Sequence, residues 1–67
     1  MRHRGYHAVV EFDDENGIFN GRVAGLRDVV AFAGESVAEI KQAFRESVDD
    51  YLALCVARGE TPDKPLD

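Results

Sequence analysis

The sequence predicts an α+β domain: a three-stranded antiparallel meander packed on one long C-terminal helix, in the order β-β-β-α. Three observations predict it. Apolar residues alternate with a period of two near the N-terminus, turn-forming residues recur at short intervals, and after Gly34 the period lengthens to 3.6 and holds to Arg58. A chain of 67 residues has room for one small domain. That domain is expected at residues 1–60, with 61–67 as a tail or linker stub.

In the first strand, Tyr6 to Asp13 reads YHAVVEFD, which sends Tyr6, Ala8, Val10 and Phe12 to one side and His7, Val9, Glu11 and Asp13 to the other. Asp14-Glu15-Asn16-Gly17 then supplies an Asn-Gly pair able to adopt positive φ, so the chain is expected to reverse here. Ile18 to Leu26 is the expected return strand, with Gly21 and Gly25 marking a bend, a bulge or a close approach. Leu26-Arg27-Asp28 reads as a second tight connection, and Val29 to Ala33 (VVAFA) as a third short strand ending at Gly34.

The helix announces itself at Ser36-Val37-Ala38-Glu39, an S-x-x-E capping box. From there Val37, Ile40, Phe44, Val48, Tyr51, Leu52 and Cys55 trace one apolar stripe, while Lys41, Arg45, Glu46 and Asp49 fall away from it. Gly59 is the expected left-handed stop, and Pro62 prevents continuation. Such a helix spans roughly 33 Å, more than short strands cover. Its C-terminal turns therefore offer a self-association face of Tyr51, Leu54, Cys55 and Val56, and a homodimer or higher homo-oligomer is expected. The thin core of so small a domain points the same way.

Charge narrows the function. The net charge is −5, and residues 6–67 hold six basic side chains against thirteen acidic ones, a net of −7. Such a surface disfavours nucleic acid and anionic membranes and favours a basic protein partner. One cysteine permits no internal disulfide and fits a reducing cytoplasm, and no apolar run has the length of a signal peptide or a membrane span.

Catalytic chemistry finds little support. On one continuous strand His3 and His7 would stand roughly 13 Å apart, too far to share a metal ion. Cys55 lies on the apolar stripe, where a thiol is shielded and neutral. Ser36 is engaged as the cap. Asp13, Asp14 and Glu15 occupy a turn, and Asp49 and Asp50 diverge by about 100° on the helix, so the carboxylates do not read as a two-metal cluster. No phosphate-binding glycine loop is present, and the aromatics lie among acids rather than among Lys and Arg. No cofactor and no catalysis are expected.

The order of motifs carries a resemblance. Tyr6 before an alternating strand, the turn at Asp13 to Asn16, Phe19-Asn20-Gly21-Arg22-Val23-Ala24-Gly25-Leu26, Gly34-Glu35-Ser36-Val37-Ala38-Glu39, and Asp49-Asp50-Tyr51-Leu52 with Cys55, Gly59 and Lys64-Pro65 together resemble the N-terminal domain of HicB-type antitoxins. The likeness covers about residues 6–65. It implies a partly degraded ribonuclease H-like fold that binds and masks a small basic ribonuclease toxin of the HicA type. Family members usually carry a further strand and a DNA-binding domain beyond the Lys-Pro segment. These 67 residues hold neither, so direct nucleic-acid binding is not expected. Glu11, Asp13, Asp14, Glu15, Asp49 and Asp50 are the candidate toxin contacts. Two other readings stand beside this one: an orphan dimeric interaction module without a toxin, and a residual metal-dependent nuclease.

Overall fold

A computed structural model of the chain describes residues 1–26 and 29–62. Four strands precede one helix: β1 (Arg2–His3), β2 (Tyr6–Asp13), β3 (Ile18–Val23), β4 (Ala31–Gly34) and α1 (Val37–Arg58). The strands form one antiparallel sheet in the order β1-β2-β3-β4. The α+β class and the strands-then-helix order are as the sequence predicts, but the strand count is four rather than three.

The additional strand comes from a turn the alternation pattern does not reveal. Arg4 (φ 52°) and Gly5 (φ 84°) both adopt positive φ, the geometry of a type I′ hairpin turn, and they pair His3 with Tyr6 and Arg2 with His7. The chain therefore doubles back before β2 begins. The next hairpin forms as expected, with Asp13 opposite Ile18 and the Gly17 N–H donating to the Asp13 carbonyl at 2.8 Å. β3 ends at Val23, three residues before the expected limit, and β4 begins at Ala31 rather than Val29. The connection expected at Leu26 to Asp28 falls partly outside the described residues, as does the expected tail from residue 63 onward.

Register fixes the two faces of the sheet. Ala8 lies opposite Val23, Val10 opposite Gly21, Phe12 opposite Phe19, and Gly21 opposite Phe32, so these residues share the face that carries α1. The helix approaches so closely that a Cβ on Gly34 would stand 2.6 Å from the Ile40 backbone nitrogen. Tyr6, Val23, Phe44, Val48, Tyr51 and Cys55 form the buried cluster, flanked by half-buried Ala8, Leu26, Val30, Phe32 and Leu52. Phe44 is central, with ring centroids 5.6 Å from Phe32 and 6.4 Å from His3.

Both ends of α1 are closed as the sequence requires. The Ser36 Oγ accepts from the Glu39 N–H at 3.1 Å, which satisfies one orphan donor of the first turn, and Glu39 Oε2 accepts from the Glu35 N–H just before the cap at 3.0 Å. At the other end Gly59 is left-handed (φ 67°), and the N–H groups of Gly59 and Glu60 reach the Val56 and Cys55 carbonyls.

Two residues expected to face the core do not. Val37 is exposed because it opens the first helical turn, outside the buried run that starts at Ile40. Phe12 is 53% exposed: it sits near the hairpin tip and stacks across the strand pair on Phe19, with centroids 4.8 Å apart.

Candidate protein-interaction surfaces

Three surfaces carry the residues singled out by the sequence; the first and third adjoin where Glu11 shares a recess with Val29 and Ala31. The first is the β2–β3 hairpin. Glu11, Asp14 and Glu15 are exposed there and Asp13 is half-buried, and no Lys or Arg occurs from residue 5 to residue 21. The side chain of Asp13 belongs to the turn itself. Its Oδ2 accepts from Asn16 Nδ2 at 2.8 Å, and its Oδ1 accepts from the backbone N–H groups of Glu15 (3.1 Å) and Asn16 (3.3 Å). The Asn16 side chain above all, then the Asn16 and Glu15 backbone donors, hold the Asp13 carboxyl below its ordinary pKa of 3.8. Asp14 and Glu15 are thus the freely presented charges of the tip.

The second surface lies at the other end of β2. Asp49 accepts from His3 Nε2 at 2.9 Å and meets Arg4 Nε at 3.2 Å, so it ties the β1–β2 hairpin to α1. Since His3 is opposite Tyr6, and β2 runs seven residues further to Asp13, Asp49 stands on the order of 20 Å from the acidic tip. The six candidate acids therefore do not converge. Arg2 and His7 make their own contact across the small hairpin, at 2.8 Å. His3 and His7 belong to different strands rather than to one. Among the described residues no group of three or more His, Cys, Asp or Glu side chains is arranged to hold a metal ion.

The third surface is a groove of about 490 Å³ beside β4. Val29, Val30 and Ala31 wall one side, and Ser47, Asp50, Tyr51, Leu54 and Arg58 the other. Asp50 thus faces away from Asp49 and has no ion-pair partner among the described residues. Of the four residues expected to mediate self-association, Tyr51 and Cys55 are packed inside the chain's own core, whereas Leu54 (47%) and Val56 (79%) are exposed. Val29 adds to them at 88%. The groove is absent from the sequence reading because it joins segments far apart in the chain. A local signal did exist: Ser47, Asp50, Leu54 and Arg58 follow one another at steps of three and four, which places them on one helical face.

No helix among the described residues is long and apolar enough to cross a membrane. Compared with protein-family models, with curated proteins and with solved structures, the chain matches none.

Proposed function

We propose that this chain is a HicB-like antitoxin domain that binds and neutralises a small basic ribonuclease of the HicA type by covering its RNA-binding face. The observation that carries the reading is the acidic hairpin: Glu11, Asp13, Asp14 and Glu15 lie toward one end of the β2–β3 pair with no Lys or Arg between positions 5 and 21. The motif order through the strands and the helix supports the family assignment, and with it a partly degraded ribonuclease H-like fold. A net charge of −5 supports a basic partner. The chain works as a mask without catalysis of its own, in the cytoplasm, and as a homo-oligomer.

The mechanism is electrostatic at first contact and apolar at closure. A basic nuclease concentrates positive potential where it binds RNA. Asp14 and Glu15, uncommitted to the turn, steer that face toward the hairpin, and Phe12 and Phe19 beside them supply apolar area once water is excluded. Asp13 contributes by fixing the tip's shape.

Stopped-flow association with a small basic ribonuclease of the HicA type tests the reading. Asp14→Lys with Glu15→Lys is expected to slow association by at least about tenfold at low salt and to flatten its dependence on ionic strength. An unchanged association rate removes the hairpin from the interface.

A further inference from the structure

We infer that the groove beside β4 is a symmetric interface with a second copy of this chain, in which two α1 helices pack antiparallel about Leu54. The inference extends the self-association proposed above and stands independently of toxin binding.

Arrangement of charge identifies the occupant. Asp50 and Arg58 lie four residues to either side of Leu54 and, like it, line the groove. A two-fold axis at Leu54 brings residue 50 of one copy opposite residue 58 of the other, twice, so one pattern satisfies itself. Among the described residues neither charge is otherwise committed: Asp50 has no ion-pair partner, and Arg58 has only a 4.0 Å approach to Glu60 with both side chains about 60% exposed. A partner of uniform charge would match one of these groups and oppose the other. A second copy matches both.

Apolar contact falls where such an axis needs it. Leu54 would meet its own equivalent at the centre, and Val29, 88% exposed, shares the groove. Exposing so large an apolar side chain beside a recess is unfavourable for a lone chain and useful in an interface. An ordinary interface covers roughly 800 Å² of each partner, about a sixth of the 4716 Å² this chain exposes. The helix seam alone is too narrow for that, so the contact includes Val29 and the groove wall. The hairpin tip at Asp14 and Glu15 belongs to neither element, whereas Glu11 shares a second recess with Val29 and Ala31.

Sedimentation velocity on three proteins decides the matter. The wild type is expected to dimerise in the micromolar range. Asp50→Arg makes both positions basic and Arg58→Asp makes both acidic. Each variant alone opposes like charges across the axis and is expected to weaken the dimer by at least about tenfold. An equimolar mixture of the two variants restores opposite charges at both contacts and is expected to form a heterodimer at wild-type strength. Far-UV circular dichroism of each variant confirms that these exposed substitutions leave the fold intact. A wild type that stays monomeric overturns the inference. So do single variants that dimerise normally, or a mixture that fails to associate.

Discussion

Gly21→Ala places one methyl group where the structure leaves no room. Gly21 pairs with Val10 on one side and Phe32 on the other, and the Phe32 ring lies over it. A Cβ at this position would overlap Phe32 Cε2 and stand 2.6 Å from Cζ. Ordinary carbon contacts lie at about 3.5–4.0 Å, so the ring must retreat by about 1 Å. Retreat is opposed by Phe44, which is only 1% exposed and packs on Phe32 with centroids 5.6 Å apart. Overpacking of this kind costs about 1–3 kcal/mol. Replacing glycine also removes freedom from the unfolded chain, which returns about 0.4–1 kcal/mol. Overpacking wins, and the net loss is about 1–2 kcal/mol. For a domain of this size that is a Tm decrease of roughly 5–15 °C, out of a total stability of about 3–10 kcal/mol. Urea unfolding followed by circular dichroism, at one fixed protein concentration, measures it. Phe32→Leu in the Gly21→Ala background is expected to cost less than the two single losses combined, because the smaller side chain vacates the contested volume. A Gly21→Ala protein as stable as the wild type, with an unchanged denaturant slope, would refute the packing argument.

Further outcomes follow from the caps, the turn and the hairpin. Ser36→Ala removes the acceptor of the Glu39 N–H and is expected to lower stability by about 1 kcal/mol; no measurable loss in the same urea assay would mean that water replaces the cap at no cost. Asp13 has its folded-state pKa held below 3.8, so its contribution to stability is present above that value and is lost as pH falls through the lowered folded value. Asn16→Ala is expected to bring the Asp13 pKa back up toward 3.8 in a carboxyl NMR titration, and an unmoved pKa would show that the backbone donors suffice. Asp49→Asn weakens a cluster that is about half exposed, with Asp49 at 49% and its partners at 27% and 59%. Its cost is expected between zero and about 1 kcal/mol, and a loss well above that in thermal melts would assign β1 a larger part in stability than solvent-screened contacts allow.

What the sequence made legible was whatever has a local cause. The helix boundaries follow from Ser36, Glu39 and Gly59, each of which acts within a few residues, and the hairpin at Asp13 to Ile18 follows from its own turn chemistry. β1 was illegible because two polar residues, Arg2 and His3, show no apolar alternation, and because its turn places a non-glycine residue, Arg4, at positive φ. The core was legible along the helix from Ile40 to Cys55 and misread at its margins. Phe12 and Val37 have the right period, but burial depends on where the helix meets the sheet, and that is set by the close approach at Gly34. The candidate acids were legible individually. The divergence of Asp49 from Asp50 was legible too, from helix geometry, but the distance from Asp13 to Asp49 was not, because it is a property of the sheet. The groove shared by Val29 and Leu54 is likewise a product of tertiary structure.

The central claim is inhibition of a basic ribonuclease by an acidic mask, and RNA cleavage by a small basic ribonuclease of the HicA type tests it most directly. Added at stoichiometric amounts, the wild-type chain is expected to abolish cleavage, and the variant carrying Asp14→Lys and Glu15→Lys is expected to require a large excess. Undiminished cleavage with the wild-type chain present in excess would contradict the account.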